Sequence, residues 1–234
     1  MHIIGLTGGI CCGKSTVAKI LSSCNPVIGV IPIINADLLG HAAYRKDSNE
    51  RSCYSRLISH FGSEILREDG EINRSALGSI VFGSKDKLNE LTSIVWPEIR
   101  KLIESDFGRY KSEGHPQVIL EAAVLLEAGW TDLVSSIWIV TAPTDIVERR
   151  LMQRNGFTLE EARKRINAQM TNEERLSHAN VIINNPFTDD EGPPQQPESS
   201  LDTSNNNGNN ALTTVSLQKL EKEVKLAYDR FFFP

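Results

Sequence analysis

Residues 8–16 read Gly8-Gly9-Ile10-Cys11-Cys12-Gly13-Lys14-Ser15-Thr16, an ungapped fit to the G-x-x-x-x-G-K-[ST] phosphate-binding loop. This stretch constrains the fold because such a loop works only between a buried strand and a helix. His2-Ile3-Ile4-Gly5-Leu6 before it is a short apolar run, and Val17-Ala18-Lys19-Ile20-Leu21 after it opens a helical pattern. In that setting successive backbone N–H groups turn inward around phosphate oxygens, and the helix N-terminus adds its positive end. Lys14 is expected to place a point charge on the β- and γ-phosphates, and the Ser15 hydroxyl to ligate Mg²⁺. The bland alternative, a glycine-rich turn with no ligand, needs loop, strand and helix to coincide by accident.

Further apolar runs continue the strand pattern. Val27-Ile28-Gly29-Val30-Ile31-Pro32-Ile33-Ile34 is expected to hold a second strand ending at Asn35-Ala36-Asp37, with Pro26 and Pro32 blurring its limits. Gln117-Val118-Ile119-Leu120-Glu121, Ile137-Trp138-Ile139-Val140 and Val181-Ile182-Ile183 supply three more. Short continuous apolar runs separated by helices predict an α/β fold whose parallel sheet is covered on both faces. Residues 38–115 are patterned as helix. Leu57, Ile58, Phe61, Ile65 and Leu66 recur at three- and four-residue steps, as do Leu88, Leu91, Val95, Ile99 and Leu102. Thr158 with Glu161, and Thr171 with Glu174, have capping-box spacing and predict helix starts. Residues 186–213, with Pro193-Pro194-Gln195-Gln196-Pro197 and the run Asn205-Asn206-Asn207-Gly208-Asn209-Asn210, bury too little apolar surface to offset chain entropy and are expected to form a disordered insert. Leu217, Leu220, Val224, Tyr228 and Phe231 then make one apolar stripe on a closing helix.

Composition excludes several classes of function. A net charge of −5 argues against a general nucleic-acid surface, and no apolar run approaches the ~18 residues of a membrane span. Met1 runs straight into the first expected strand, so no signal or transit peptide is expected. Cys11, Cys12, Cys24 and Cys53 lack metal-site spacing, and two of them sit inside the loop, so a reducing compartment, the cytoplasm, is expected.

Three features bear on the chemistry. Asp37 follows the second apolar run, where ligands of an open parallel sheet sit; it reads either as a base for an attacking hydroxyl or as a helix N-cap, and position alone does not separate the two. Glu121 ends the third run, where an acid commonly organises Mg²⁺, or is simply a solvated strand-end carboxylate. Arg149, Arg150, Arg154, Arg163, Lys164 and Arg165 form a basic cluster in an acidic chain. Arg150 and Arg154, four apart, share a helix face, and together these residues suggest a lid that closes over a triphosphate and excludes water.

Several further runs form an ordered set: Ile4-Gly5-Leu6-Thr7-Gly8, Asn35-Ala36-Asp37-Leu38-Leu39-Gly40-His41 with Tyr44, and Gly70-Glu71-Ile72-Asn73-Arg74 with Leu77-Gly78 and Val81-Phe82-Gly83. They continue with Leu91-Thr92-Ser93-Ile94-Val95-Trp96-Pro97, Glu121-Ala122-Ala123-Val124-Leu125-Leu126-Glu127-Ala128-Gly129-Trp130, and Arg165-Ile166-Asn167-Ala168-Gln169-Met170. In these residues the chain resembles the dephospho-coenzyme A kinase family, and within it the kinase half of the animal bifunctional coenzyme A synthase. The likeness implies a single P-loop kinase domain of three layers around a five-stranded parallel sheet. Its core would be residues 1–37, 116–146, 177–185 and 214–234, its helical dephospho-CoA-binding subdomain residues 38–115, and its arginine-bearing lid residues 147–176. It implies a monomer that uses ATP and Mg²⁺ to phosphorylate the ribose 3′-hydroxyl of dephospho-CoA, giving CoA and ADP in the last step of coenzyme A biosynthesis. It assigns Asp37, Lys14 and Arg150 to catalysis, and Gly8, Gly9, Ile10, Cys11, Cys12, Gly13, Lys14, Ser15, Thr16 and Arg154 to ATP. Asp37 and Arg74 go to the acceptor, and Ser15 and Glu121 to the metal. The rivals are a nucleoside monophosphate kinase and a nucleotide-binding protein without turnover.

This chain departs from the family pattern at four positions. The family loop has Gly-Ser where Cys11-Cys12 stand, and a positive φ at position 11 would cost Cys about 1 kcal/mol or more. Trp96 replaces a common His, and Glu121 replaces a common Asp. Thiols at a helix N-terminus beside Lys14 are also expected to have lowered pKa values and to react with thiol reagents unless ATP·Mg protects them.

Overall fold

The computed structural model describes residues 1–46, 52–81, 83–186 and 209–233. Residues 187–208 of the expected insert, and Phe82, lie outside the described residues. Clustering of the backbone divides the chain into two compact units, one of Ile34–Val118 with Met1, the other of His2–Ile33 and the residues from Ile119 onward.

The second unit carries the loop. β1 (His2–Gly8) leads through the loop into α1 (Lys14–Ser22). Ile4, Leu6 and Thr7 are fully buried, as expected for a strand covered on both faces. β2 is Ile33–Asn35, β3 is Gln117–Glu121 and buried throughout, β4 is Ser136–Thr141 and β5 is Val181–Asn184. The strand order is β2-β3-β1-β4-β5 in one five-stranded sheet. β4 pairs in parallel with β1, from Ile4 opposite Ser136 to Gly8 opposite Val140, and with β5, from Trp138 opposite Val181 to Thr141 opposite Asn184. The order of strands differs from their order in the chain, so crossovers separate neighbours, as a parallel sheet requires.

The expected second strand is much shorter than its apolar run. Residues 26–28 form a turn, Val27 is 88% exposed and Val30 72% exposed. The cause is local. Asn25 Oδ1 accepts from the backbone N–H groups of Val27 and Ile28, and Gly29 takes φ 75°. An Asx turn followed by a left-handed residue folds the chain back before any ladder can form.

Within the Ile34–Val118 unit, α2 (Ala36–Ala43), α3 (Cys53–Phe61) and α4 (Arg74–Val81) pack on the long α5 (Lys85–Ser112). Ser52 caps α3 and Ser84 caps α5 through their side-chain oxygens. The core holds Leu57, Phe61, Ile65, Leu77, Val81, Val95, Ile99 and Ile103. Ile65 and Leu66 are not helical in the way their spacing predicts. Gly62 at φ 85° ends α3, Ile65 closes a 3₁₀ turn over Ser63–Ile65, and Leu66 bridges antiparallel to Ile72.

α6 (Thr144–Asn155), α7 (Leu159–Asn167) and α8 (Asn172–Leu176) follow β4. Thr158 and Glu161 make the full reciprocal capping box, whereas Thr171 accepts from Glu174 N–H. The closing helix α9 spans Asn209–Phe232 and so begins inside the range expected for the insert. Leu220, Val224 and Tyr228 of its stripe are buried in the same core cluster as Leu6, Trp138 and Ile183. Among the described residues no helix is long and apolar enough to cross a membrane.

Candidate active site

The site grows from the turn between β1 and α1. Gly13 caps α1 at φ 90°, and Cys11 is, among the described residues, the non-glycine residue at positive φ, 53°. The chain therefore places an L side chain where the loop turns left-handed, the condition under which the cysteine is strained. Gly13 is also sterically required, since a β-carbon there would stand 2.1 Å from Asn185 Nδ2. Gly8 is equally confined, with a β-carbon falling 2.4 Å from Val140 O and 2.7 Å from Cys12 Sγ.

Side chains from the far end of the sheet unit turn the loop's polar groups. Arg150 Nη1 donates to Cys11 O at 3.0 Å, and Asn185 Nδ2 donates to Cys12 O at 2.9 Å. Ile10 N–H donates to Gln169 Oε1 at 2.8 Å. The carbonyls of residues 11 and 12 are thus taken up by side-chain donors, which holds the turn that opens α1, the setting in which backbone N–H groups form an anion-binding nest.

Lys14, Ser15 and Thr16 form the first turn of α1. The Ser15 hydroxyl donates to Glu121 Oε1 at 2.5 Å, and Lys14 Nζ lies 3.9 Å from the same oxygen. Glu121 ends β3 and is 3% exposed, so its carboxylate is no solvated strand-end acid. Two oxygen donors and an ammonium thus meet beside the loop. Oxygen donors suit a hard cation such as Mg²⁺. Among the described residues no group of three or more His, Cys, Asp or Glu gathers as a metal cluster, so any metal held here would lean on waters and on substrate phosphates.

The basic segment separates into distinct roles. Arg150 is buried and reaches the loop. Arg154 is exposed in the last turn of α6, and among the described residues no hydrogen bond or ion pair joins it to the loop. Arg149 pairs with Asp145 at 2.9 Å, Arg163 pairs with Glu148 at 2.7 Å, and the Arg165 guanidinium lies 4.3 Å from the centroid of the Phe157 ring.

The loop thiols depart from expectation. Burial pushes the Cys12 thiol above its ordinary pKa, although Lys14, Arg175 and Arg150 and a backbone hydrogen bond from Lys14 pull the other way. Desolvation disfavours the thiolate more than three cations favour it. Cys12 is therefore a small core residue with Sγ facing Gly8, and the expected reactivity does not extend to it; Cys11 is half-buried. Among the described residues the cysteines are free thiols.

In the Ile34–Val118 unit, Asp37 sits exposed in the first turn of α2. The cap of that helix is Asn35, whose side chain accepts from Leu38 N–H at 3.0 Å. The capping alternative for Asp37 therefore falls. Arg74, the first residue of α4, places Nη1 3.5 Å from His41 Nδ1, and His41 follows Asp37 by one helical turn. Burial, and then Arg74, push the His41 pKa below its ordinary value, while Asp37 acts in the opposite sense.

Four residues at the loop escaped the sequence reading: Gln169, Asn172, Arg175 and Asn185. Gln169 lies within a run that carries the family likeness, and Asn185 directly follows the carboxyl end of β5, where ligand sites of parallel sheets lie. Arg175 and Asn172 carried no signal, since an Arg within a Glu-Glu-Arg run reads as a solvated helix face.

Comparison with known proteins agrees with this geometry. The family model described as "Dephospho-CoA kinase" matches residues 2–190. Dephospho-CoA kinase of Carboxydothermus hydrogenoformans is 44% identical over 187 residues, 79% of this chain and 86% of that protein. Dephospho-CoA kinase of Dehalococcoides mccartyi is 40% identical over 185 residues, 79% of this chain and 89% of that protein. Among solved structures, TT1252 from Thermus thermophilus superposes with a TM-score of 0.64 at 32% identity, covering 78% of this chain and 87% of that one. A loop-bearing parallel sheet, a match across most of the chain and relatives above 30% identity converge: the chain belongs to the dephospho-CoA kinase family.

Proposed function

We propose that this chain transfers the γ-phosphoryl group of ATP to the ribose 3′-hydroxyl of dephospho-CoA, giving CoA and ADP. The observation that carries the reading is the loop itself, with Lys14 and Ser15 gathered on Glu121 and the carbonyls of Cys11 and Cys12 held by Arg150 and Asn185. Phosphoryl transfer asks little covalent chemistry of a protein; positioning and charge stabilisation carry most of it. The loop N–H groups and Lys14 hold the β- and γ-phosphates. Arg150, buried beside the loop, adds positive charge where charge builds on the transferred group. Ser15 and Glu121 fit Mg²⁺ by donor type, and the ion, when bound with ATP, neutralises phosphate charge. Asp37 accepts the proton of the 3′-hydroxyl as its oxygen bonds to the γ-phosphorus and the bond to the ADP oxygen breaks. Support for Asp37 is its exposed place directly after β2 and the loss of its capping alternative. Arg74, beside His41, is the acceptor-binding candidate. The free thiols support work in a reducing compartment such as the cytoplasm.

The test is incubation of the chain with ATP·Mg and dephospho-CoA, with AMP and adenosine as parallel acceptors and product read by mass. A phosphate added to dephospho-CoA alone is the expected result. Transfer to AMP instead would make it a nucleoside monophosphate kinase, and ATP binding without transfer to any acceptor would overturn the enzymatic reading.

A further inference from the structure

Arg175 lies in α8, outside the residues assigned above to ATP, acceptor or metal. It is 3% exposed. Its Nη1 donates to Asn172 Oδ1 at 3.1 Å, and a β-carbon placed on Gly9 would stand 3.5 Å from the same nitrogen. The guanidinium therefore lies over the Gly9 backbone, at the rim of the loop, with Gln169 Oε1 and Asn172 Oδ1 also facing that glycine. The surface arginines of the same segment each have a carboxylate, Asp145 for Arg149 and Glu148 for Arg163. Arg175 is the more deeply buried, yet among the described residues no carboxylate is ion-paired with it, and a neutral amide oxygen is its side-chain partner. Lys14 and Arg150 face the same loop, and all three cations act on the Cys12 thiol between them.

A buried cation without a counter-charge is costly, and proteins retain one where an anion arrives in the working state. A guanidinium is suited to phosphate because its fork matches two oxygens at once. We infer that Arg175 is a phosphate-binding residue, which meets the polyphosphate of the bound nucleotide over Gly9 and receives from it a counter-charge that no carboxylate among the described residues supplies. Asn172 positions it by fixing Nη1 and leaving the rest of the fork to the ligand. The inference rests on the reading of the loop as the seat of nucleotide phosphate.

The experiment measures binding of ATP and of inorganic tripolyphosphate by calorimetry, and the melting temperature of the ligand-free chain, for the unaltered protein, R175M and R175K. R175M is expected to bind both ligands about tenfold or more weakly, the loss typical of a charge-assisted hydrogen bond. Its ligand-free melting temperature should be unchanged or raised, because an uncompensated charge has been removed. R175K, which keeps the charge and loses the fork, should fall between the two in affinity. Unchanged tripolyphosphate affinity in R175M would overturn the inference. So would a lowered ligand-free melting temperature or a failure of R175M to fold, with R175K restoring stability but binding tripolyphosphate as tightly as the unaltered chain, since the guanidinium would then be structural. A chain that binds tripolyphosphate through Arg175 but phosphorylates no acceptor would keep this inference and sink the kinase reading.

Discussion

The side-chain amide of Asn185, the residue after β5, donates to the carbonyl of Cys12 at 2.9 Å across 173 positions of sequence. Asn185 is 4% exposed, and its own N–H donates to Thr141 O at 2.7 Å. The loop's curvature is thus held from the opposite end of the sheet unit. Asn185→Ala leaves that carbonyl buried without its donor and is expected to lower stability by about 1–3 kcal/mol. Kinetics should show a raised KM for ATP with the KM for dephospho-CoA little changed; equal rises in both would overturn the local role.

Glu121 receives the Ser15 hydroxyl and lies near Lys14. Glu121→Gln keeps shape and hydrogen bonding but removes the charge. The Mg²⁺ concentration for half-maximal activity should rise about tenfold or more, the usual effect of losing a group that supports a metal. A titration of rate against Mg²⁺ at saturating ATP checks this, and an unshifted curve would remove Glu121 from the metal assignment.

Asp37 is free of capping duty, so its removal should be felt in chemistry more than in folding. Asp37→Asn is expected to cut kcat by about 10²–10⁴-fold, the range of a general base. ATP affinity, read by calorimetry, should stay within about twofold of the unaltered chain, and a variant with full turnover would exclude Asp37 as base.

Cys11 occupies φ 53°. Left-handed backbone costs a residue with a β-carbon about 1–2 kcal/mol, and glycine returns about 0.5–1 kcal/mol of that through the entropy of the unfolded chain. Cys11→Gly should therefore raise stability by about 0.5–1 kcal/mol in urea unfolding. A destabilised variant would mean that side-chain packing at Cys11 outweighs its strain.

Two further thiols predict a pH dependence. Burial, reinforced by Asp229, pushes Cys24 from 9.0 up to about 11, and burial, reinforced by Glu98, does the same for Cys53. Their folded pKa values lie above the unfolded value, so between pH 9 and 11 the unfolded chain releases protons that the folded chain keeps. The stability these thiols contribute is full below pH 9 and is lost as pH rises through that window, by at most about 1.4 kcal/mol per pH unit for each thiol. Denaturant midpoints from pH 8 to 11 should fall, and less steeply for Cys24→Ala/Cys53→Ala; equal slopes would refute the assignment.

Local chemistry alone determined much of this protein. The loop, its flanking strand and helix, the strands at 117–121, 137–140 and 181–183 and the capping box at Thr158 were legible, because each depends on residues within one or two turns of each other. The second strand was misjudged where a side-chain turn at Asn25 and the left-handed Gly29 overrode apolar content, and Ile65 and Leu66 where Gly62 broke a helical spacing. Only the tertiary structure decided which polar side chains attend the loop. Gln169, Arg175 and Asn185 come more than 150 residues after it in sequence, and Arg150 differs from Arg154 only in which of the two is buried. It also decided the state of Cys12, whose sequence neighbours predict a reactive thiolate and whose burial keeps the thiol protonated. Sequence spacing reports which groups are near along the chain; long-range packing sets which of them lose water, and desolvation governs both charge and reactivity at this site.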